Sequence, residues 1–278
     1  MFVDIDKIEE AEEPTVVLDS YEVTGEDFSL KMGLSSILGT RKNQQDSVYG
    51  QVDGKRALAI VCDGMGGMNG GELASQTAVK ILAEDYYKNR PDSDIPGFFR
   101  EEAIKMNAAV RDLEDGKGNP LNGGTTVVAT IIEENKLYWL SVGDSKIYLI
   151  RDKNIVAVNR EHNFRMRLDE RLKSGAITKE QYKKEEGQAE ALISYLGIED
   201  LTLMDINKKP FLLQENDIVL LCSDGLYKCL KESEIGELVY YEEPDMERAA
   251  RRLTNVVLKR KKRSQDNTSL VIMQYNRY

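Results

Sequence analysis

The stretch TTVVATIIEENKLYWLSVGDSKIYLIRDKNIVAVN, residues 125–159, holds four apolar, β-branched or aromatic runs: TTVVATII, KLYWLSV, KIYLIR and NIVAVN. Polar breaks at Glu134-Asn135, Gly143-Asp144 and Asp152-Lys153 separate them. Strands this short, joined by turns this short, predict an antiparallel meander, because parallel neighbours need a long crossover. Working outward, Phe28, Leu30, Met32 and Leu34 alternate with smaller or polar residues, and Ser47–Val52 and Ala57–Cys62 flank the turn Asp53-Gly54. Further strands are expected at Leu201–Ile206, Asp217–Cys222 and Asn267–Gln274. Between them lie helical spacings: Leu73, Ala74, Thr77, Ala78, Ile81 and Leu82; then Phe99, Ala103, Met106, Val110 and Leu113 behind the capping groups Asp92, Ser93 and Asp94; then Met246, Ala250, Leu253 and Val257. Meanders interrupted by long helices predict an α+β fold of packed antiparallel sheets with helices outside.

Residues 1–24 are acidic and lack a sustained period, so they read as a flexible tail ahead of one domain over residues 25–278. Within that domain, residues 160–196 are a charged, helix-prone excursion broken at Gly175 and Gly187, a length of detour that often borders a site. The 278 residues are 41% hydrophobic, enough for a real core. Acidic residues outnumber basic ones 48 to 38, and a net charge of −10 argues against a nucleic-acid partner. Neither a basic-then-apolar leader nor an apolar run of about 20 residues is present, so no membrane association and a cytoplasmic location are expected. Cys62, Cys222 and Cys229 form no CxxC pair and read as reduced thiols. With His162 as the single histidine, a multi-histidine zinc site and a Ser-His-Asp triad are both disfavoured, and no P-loop is present.

That leaves carboxylates. Asp63 follows the apolar run ALAIVC and Asp224 follows IVLLCS, each with a glycine after it; Asp144 ends another strand, while Asp46 and Asp266 precede strands. Asp-Gly is also a plain turn signal, and Asp53-Gly54 and Asp115-Gly116 need be nothing more. The buried runs set Asp63 and Asp224 apart, since they deliver the side chain to a sheet end. Four carboxylates within ~5 Å would repel by roughly 3 kcal/mol per pair at an effective dielectric of about 20, roughly 20 kcal/mol over six pairs. A domain is stable by only about 5–15 kcal/mol. Such a cluster needs hard divalent cations, and oxygen-only ligation favours Mg²⁺ or Mn²⁺. Two ions sharing a carboxylate would also activate a water. In the glycine-dense loop after Asp63, the Gly64 carbonyl can approach closely enough to be a further ligand.

These residues fall in six separated motifs: RKNQQDS (41–47), DGMGGMNGGELAS (63–75), GGTT (123–126), VGDS (142–145), SDGL (223–226) and DNT (266–268). In that order the sequence resembles the metal-dependent (PPM, type 2C-like) serine/threonine protein phosphatases of bacterial type, over about residues 28–275. The resemblance implies an α-β-β-α sandwich and a catalytic domain in which residues 160–196 form a helical flap. It implies two core Mn²⁺ or Mg²⁺ ions: Asp63 bridging them beside the Gly64 carbonyl, Asp46 and Asp266 on one, Asp224 on the other or on both. Asp144 matches a position that, with Asp224, holds a third, weaker ion. Arg41 matches the arginine that binds substrate phosphate, and its fork suits phosphate oxygens. Arg41, Asp46 and Asp63 are thus the implied catalytic set, acting by direct attack of a metal-bridged water on phosphoserine or phosphothreonine. The implied partners are phosphorylated proteins and a cognate serine/threonine kinase. Departures from the family pattern are Gln45 where glutamate is frequent, Met65 where eukaryotic members carry histidine, Lys146 where arginine is usual, and the divergent stretch 187–197. The alternative reading is a catalytically weak relative that binds phosphoproteins.

Three weaker signals remain. His162 suits a structural hydrogen bond or a part in positioning the flap. KRKKR (259–263) complements a helix C-terminus, with attraction of phosphoproteins as the alternative. Thr15, with Leu18 three residues on, resembles a ligand of forkhead-associated domains.

Overall fold

The computed structural model describes residues 21–24, 28–67, 70–242, 245–260 and 263–277. The N-terminal part runs β1 (Tyr21–Thr24), β2 (Phe28–Ile37), β3 (Asp46–Asp53), β4 (Arg56–Met65), α1 (Gly70–Asn89) and α2 (Ile95–Arg111). The middle runs β5 (Gly124–Thr125), β6 (Val127–Glu133), β7 (Lys136–Val142), β8 (Lys146–Arg151), β9 (Asn154–Ala157), α3 (Phe164–Lys173) and α4 (Lys179–Glu185). The chain then forms β10 (Asp205–Ile206), β11 (Phe211–Leu212), β12 (Asp217–Cys222), α5 (Asp224–Tyr227), α6 (Glu232–Glu242), α7 (Met246–Lys259) and β13 (Thr268–Arg277).

Two antiparallel sheets result. The first is six-stranded, in the order β1-β2-β13-β12-β8-β9; the second is seven-stranded, built on β10-β7-β6-β4-β3 with β11 on β7 and β5 on β4. Strand parity sorts the core into layers, since successive side chains point to opposite faces. Ala57, Ala59 and Val61 of β4 face Met32, Leu34, Val219, Leu221 and Val271 between the sheets. Leu58, Ile60 and Cys62 of the same strand point outward onto Ala74, Ala78 and Leu82 of α1 and Phe99 and Met106 of α2. On the far side Leu220 and Ile272 meet Ala250, Leu253 and Val257 of α7. The expected α+β sandwich with helices on both sides is therefore the observed architecture.

Three expectations need correction. The four runs of 125–159 are not one meander. β6 pairs with β7 in one sheet and β8 with β9 in the other, so Gly143-Asp144 is a crossing between sheets rather than a hairpin. Gly143 makes the crossing possible: its φ is +104°, and a Cβ there would stand 2.6 Å from Thr126. The strand expected over Leu201–Ile206 shrinks to Asp205–Ile206, which pair with Ser141 and Leu140 of β7, while Leu201 and Met204 pack on the same core outside the ladder. Of the tail expected over 1–24, Tyr21–Thr24 form β1, in register from Tyr21 opposite Met32 to Thr24 opposite Ser29; residues 1–20, Thr15 included, lie outside the described residues. Lys261 and Lys262 of the basic run do as well.

The excursion after β9 has its own small core of Leu168, Ile177 and Ala189, with Phe164, Leu172 and Tyr182 packed on it. Asn163 caps α3, and Thr178 and Gln181 form a reciprocal capping box on α4. Its return is sewn to β5 by paired hydrogen bonds between Thr125 and Leu196.

Candidate active site

Antiparallel register builds the first half of the site. Asp46 of β3 and Asp63 of β4 are direct cross-strand partners, so the ladder sets two carboxylates side by side. The hydroxyl of Thr126 accepts the Asp63 N–H at 3.0 Å, and that of Thr125 donates to the Asp63 carbonyl at 3.0 Å. The GGTT motif therefore locks the main chain at Asp63 from both sides of the residue. Gly64 follows where a Cβ would collide with the Gly71 carbonyl oxygen at 2.1 Å, so only glycine lets α1 start this close.

The second half is gathered by small polar residues beside each acid. Asn267 accepts the Gln45 N–H at 2.8 Å and donates to the Leu38 carbonyl at 2.9 Å, tying the loop before Asp46 to the one carrying Asp266. Ser223 donates to Asp46 Oδ2 at 2.7 Å and accepts the Ser269 N–H at 3.0 Å, which brings the end of β12 to the same place. Asp224 does not end a strand; it opens α5 one residue beyond Ser223. Asp144 sits on the crossing between the sheets, its carbonyl accepting the Tyr227 hydroxyl at 3.1 Å.

Arg41, Asp63, Gly64, Asp144, Asp224 and Asp266 thus line one open cleft of about 370 Å³, walled on the flap side by Glu190 and Leu192. Asp46 is behind this surface, 6% exposed and facing a neighbouring groove. Among the described residues no three acidic, histidine or cysteine side chains form a ready-made cation cage. Two of the acids already have cationic partners. Arg41 Nη2 donates to Asp266 Oδ2 at 2.5 Å, and Lys228 Nζ donates to Asp224 Oδ2 at 2.6 Å while standing 3.8 Å from Asp144 Oδ2. Lys228 was not singled out by sequence; the signal available was its position four residues after Asp224 at a helix start, where side chains meet.

Burial and mutual repulsion raise acids in both halves of the site. Burial raises the Asp46 carboxyl to about 7, with Asp224 and Asp266 adding to it and the Ser223 hydroxyl opposing. Burial also raises Asp63 well above the carboxylate range, and Asp46, Asp224, Asp144 and Asp266 push the same way. Asp144 rises to about 6 through burial and Asp224, with Lys228 pulling it back. The residues fit divalent cations on two counts: they are mutually repelling oxygen donors, and Asp224 Oδ1 is buried with no hydrogen-bond partner. Thiol chemistry does not fit, since burial pushes the Cys62 and Cys222 thiols far up.

His162 proves structural. Its Nδ1 accepts the Gly143 N–H at 3.2 Å, its own backbone N–H donates to the Gly143 carbonyl at 2.8 Å, and its carbonyl accepts from Ile193 at 2.9 Å. Burial lowers its pKa to about 4, so a neutral imidazole bonds the crossing while its backbone carbonyl ties the same residue to Ile193 at the flap base. The Lys146 ammonium pairs with Glu161 at 2.8 Å and lies 4.3 Å from the Tyr227 ring, on the rim of this region.

An acid-lined cleft in an α-β-β-α sandwich, with the Arg41 guanidinium and the Lys228 ammonium among its carboxylates, fits a hydrolase of anionic substrates. A profile of the protein phosphatase 2C family matches residues 35–270, and the chain belongs to that family, the protein-serine/threonine phosphatases. It is 31% identical to the serine/threonine phosphatase stp of Listeria welshimeri over 186 residues, 66% of this chain and 71% of that protein. The crystal structure of the Mycobacterium tuberculosis serine/threonine phosphatase PstP/Ppp superposes with a TM-score of 0.71 at 26% identity, covering 88% of this chain and 98% of that one. A structure of the PstP catalytic domain in complex with two manganese ions superposes with a TM-score of 0.70 at 26% identity, covering 89% and 98%.

Proposed function

We propose that this chain removes phosphate from phosphoserine and phosphothreonine of proteins in this cleft, dependent on Mn²⁺ or Mg²⁺. Asp46, Asp63, Asp224, Asp266 and the Gly64 carbonyl would hold two ions. When bound, the ions supply the charge that lets these acids ionise together and the acidity that makes water a nucleophile at neutral pH. The observation that carries this reading is the Asp46–Asp63 pair: a buried and a half-buried acid held side by side by a sheet, with carboxylates as the strongest charges acting on Asp63. Such a pair is tolerable in a fold where a cation is to be bound.

The chain's own residues do the rest. Arg41 holds Asp266 through one nitrogen while half exposed in the lining of the cleft, which leaves its other donors for a phosphate entering there. Paired guanidinium donors orient a tetrahedral anion and offset the charge that develops on its oxygens. The ladder and the two threonines keep Asp46 and Asp63 from reorganising during the reaction. Glu190 and Leu192 limit how the substrate chain crosses the cleft. The substrates would be products of a serine/threonine kinase in the cytoplasm, and Thr15 would serve as a phosphothreonine handle for a forkhead-associated domain.

Phosphate release from a phosphothreonine peptide tests this reading. Release with Mn²⁺, lost with chelator and lost in Asp224→Asn, is expected. Binding of the peptide without release would favour the phosphoprotein-binding module.

A further inference from the structure

The geometry points to Lys228 as a cation of the chain's own, built into the Asp144–Asp224 side of the cleft so that no divalent ion is held there. The inference rests on the proposed ligand set, and it concerns how many ions that set takes.

One ammonium reaches two acids that arrive from different places. Lys228 Nζ is 2.6 Å from Asp224 Oδ2 and 3.8 Å from Asp144 Oδ2. Asp144 comes from the crossing between the sheets and Asp224 from the first turn of α5. Both carboxylates are nearly covered, with side-chain exposures of 8% and 17%. The backbone that carries the two partners is held in place as well: the Lys228 N–H donates to the Asp224 carbonyl at 2.9 Å, closing the helical turn, and the adjacent Tyr227 hydroxyl donates to the Asp144 carbonyl at 3.1 Å, while the lysine side chain itself is 43% exposed. The same helical turn that carries the acid therefore carries its counter-ion.

Arg41 on Asp266 offers the contrast. That guanidinium stands on a loop, half exposed, and pairs with an acid that is itself 39% exposed. It can leave Asp266 for a substrate anion at little desolvation penalty. Lys228 would have to abandon two nearly buried carboxylates at once. Asp224 still keeps a free face: Oδ1 is buried without a partner, and that oxygen is what it can offer to a core ion. Asp144 has no such division of labour, because the ammonium stands at its Oδ2 and Asp224 Oδ2 together. A divalent ion bridging Asp144 and Asp224 would sit against a positive charge already paired with both, so Asp144 works here as a partner of Lys228 and not as a metal ligand.

Bound Mn²⁺ per full-length chain, counted by equilibrium dialysis and elemental analysis across a titration to saturation, decides it. Wild type, Asp144→Asn and Lys228→Arg are expected to bind two ions each. Lys228→Gln is expected to bind a third, and the double variant Lys228→Gln with Asp144→Asn to lose it again. Three ions in wild type falling to two in Asp144→Asn would overturn the inference while leaving the core ligands intact. So would Lys228→Gln remaining at two ions with unchanged affinity. Fewer than two ions in wild type would overturn the ligand set itself, and this inference with it. Should Lys228→Gln not fold, the count for wild type against Asp144→Asn decides by itself.

Discussion

The two halves of the cleft solve the same electrostatic problem in opposite ways. On the β3–β4 side, Asp46 and Asp63 are fixed by a strand ladder, and their pKa values rise because burial and other acids act on them. On the other side, Asp144, Asp224 and Asp266 sit on a crossing, a helix start and a loop, and each stands near Lys228 or Arg41. Rigidity is placed where charge is uncompensated; on the other side Lys228 is a standing counter-charge on two acids, and Arg41 is the adjustable one that can be exchanged for substrate. A preorganised site needs the first kind of part, since moving dipoles and charges during the reaction would forfeit much of their effect.

Asp63→Asn tests that contrast with the largest expected effect. It should lower kcat/KM on a phosphothreonine peptide by more than about 10³-fold, ~4 kcal/mol of transition-state stabilisation. In chelator the same variant should melt higher than wild type, because a carboxyl pressed by burial and by four other acids is replaced by a neutral amide. Asp266→Asn should also lose activity but gain no thermal stability, since it breaks the pair with Arg41. Equal stability changes in the two variants would break the comparison.

Arg41→Ala comes next. Loss of a charged donor aimed at the developing oxyanion should lower kcat/KM by about 10²-fold. Its effect on Mn²⁺ affinity should be nil or favourable, because Asp266 loses a competing cation. A parallel fall in metal affinity would mean that Arg41 shapes the ion site and not only the substrate site.

The pH dependence sharpens the same point. The folded-state carboxyls of Asp46 and Asp144 lie at about 7 and about 6, above the ordinary value of 3.8. A raised carboxyl pKa means that the folded chain binds more protons than the unfolded one, so stability falls as pH rises from about 4 through about 7. The metal-free melting temperature should therefore decline over that window. Saturating Mn²⁺ should flatten the decline, stabilising more at pH 8 than at pH 5. A metal-free profile that rises over the window would contradict the burial argument.

Much of this was legible in sequence, and the reasons differ residue by residue. Asp63 was marked by the apolar run ahead of it, which strand burial requires, and Asp224 was marked likewise although it turned out to open a helix. The layers were legible because period-2 and period-3.6 spacings report burial directly. Gly143-Asp144 was misread because a dipeptide that ends one hairpin and one that crosses between sheets have the same local chemistry; what separates them is the distant His162 staple and the Thr126 contact. The direct opposition of Asp46 and Asp63 depends on register, which the turn at Asp53-Gly54 sets seven residues from Asp46. Lys228 escaped notice because its meaning depends on α5, a helix of four residues too short to show a period.

The smallest effect belongs to the flap, and it separates wall from machinery. Thr178 accepts the Gln181 N–H at 3.2 Å while its own N–H donates to Gln181 Oε1 at 2.8 Å, and Thr178→Ala removes one arm of that box. The expected loss is about 1 kcal/mol of local stability. The flap core of Leu168, Ile177 and Ala189 is separate from the cores of the sandwich, so the loss should stay local. Amide exchange should speed up over residues 178–186, while the Mn²⁺ count and the exchange of β3 and β4 remain as in wild type. Because Glu190 and Leu192 wall the cleft from this segment, KM for the phosphopeptide should rise a few-fold with kcat nearly constant. A fall in kcat matching the rise in KM would place the flap inside the reacting assembly and blur the boundary between the fixed half of the cleft and its adjustable surroundings.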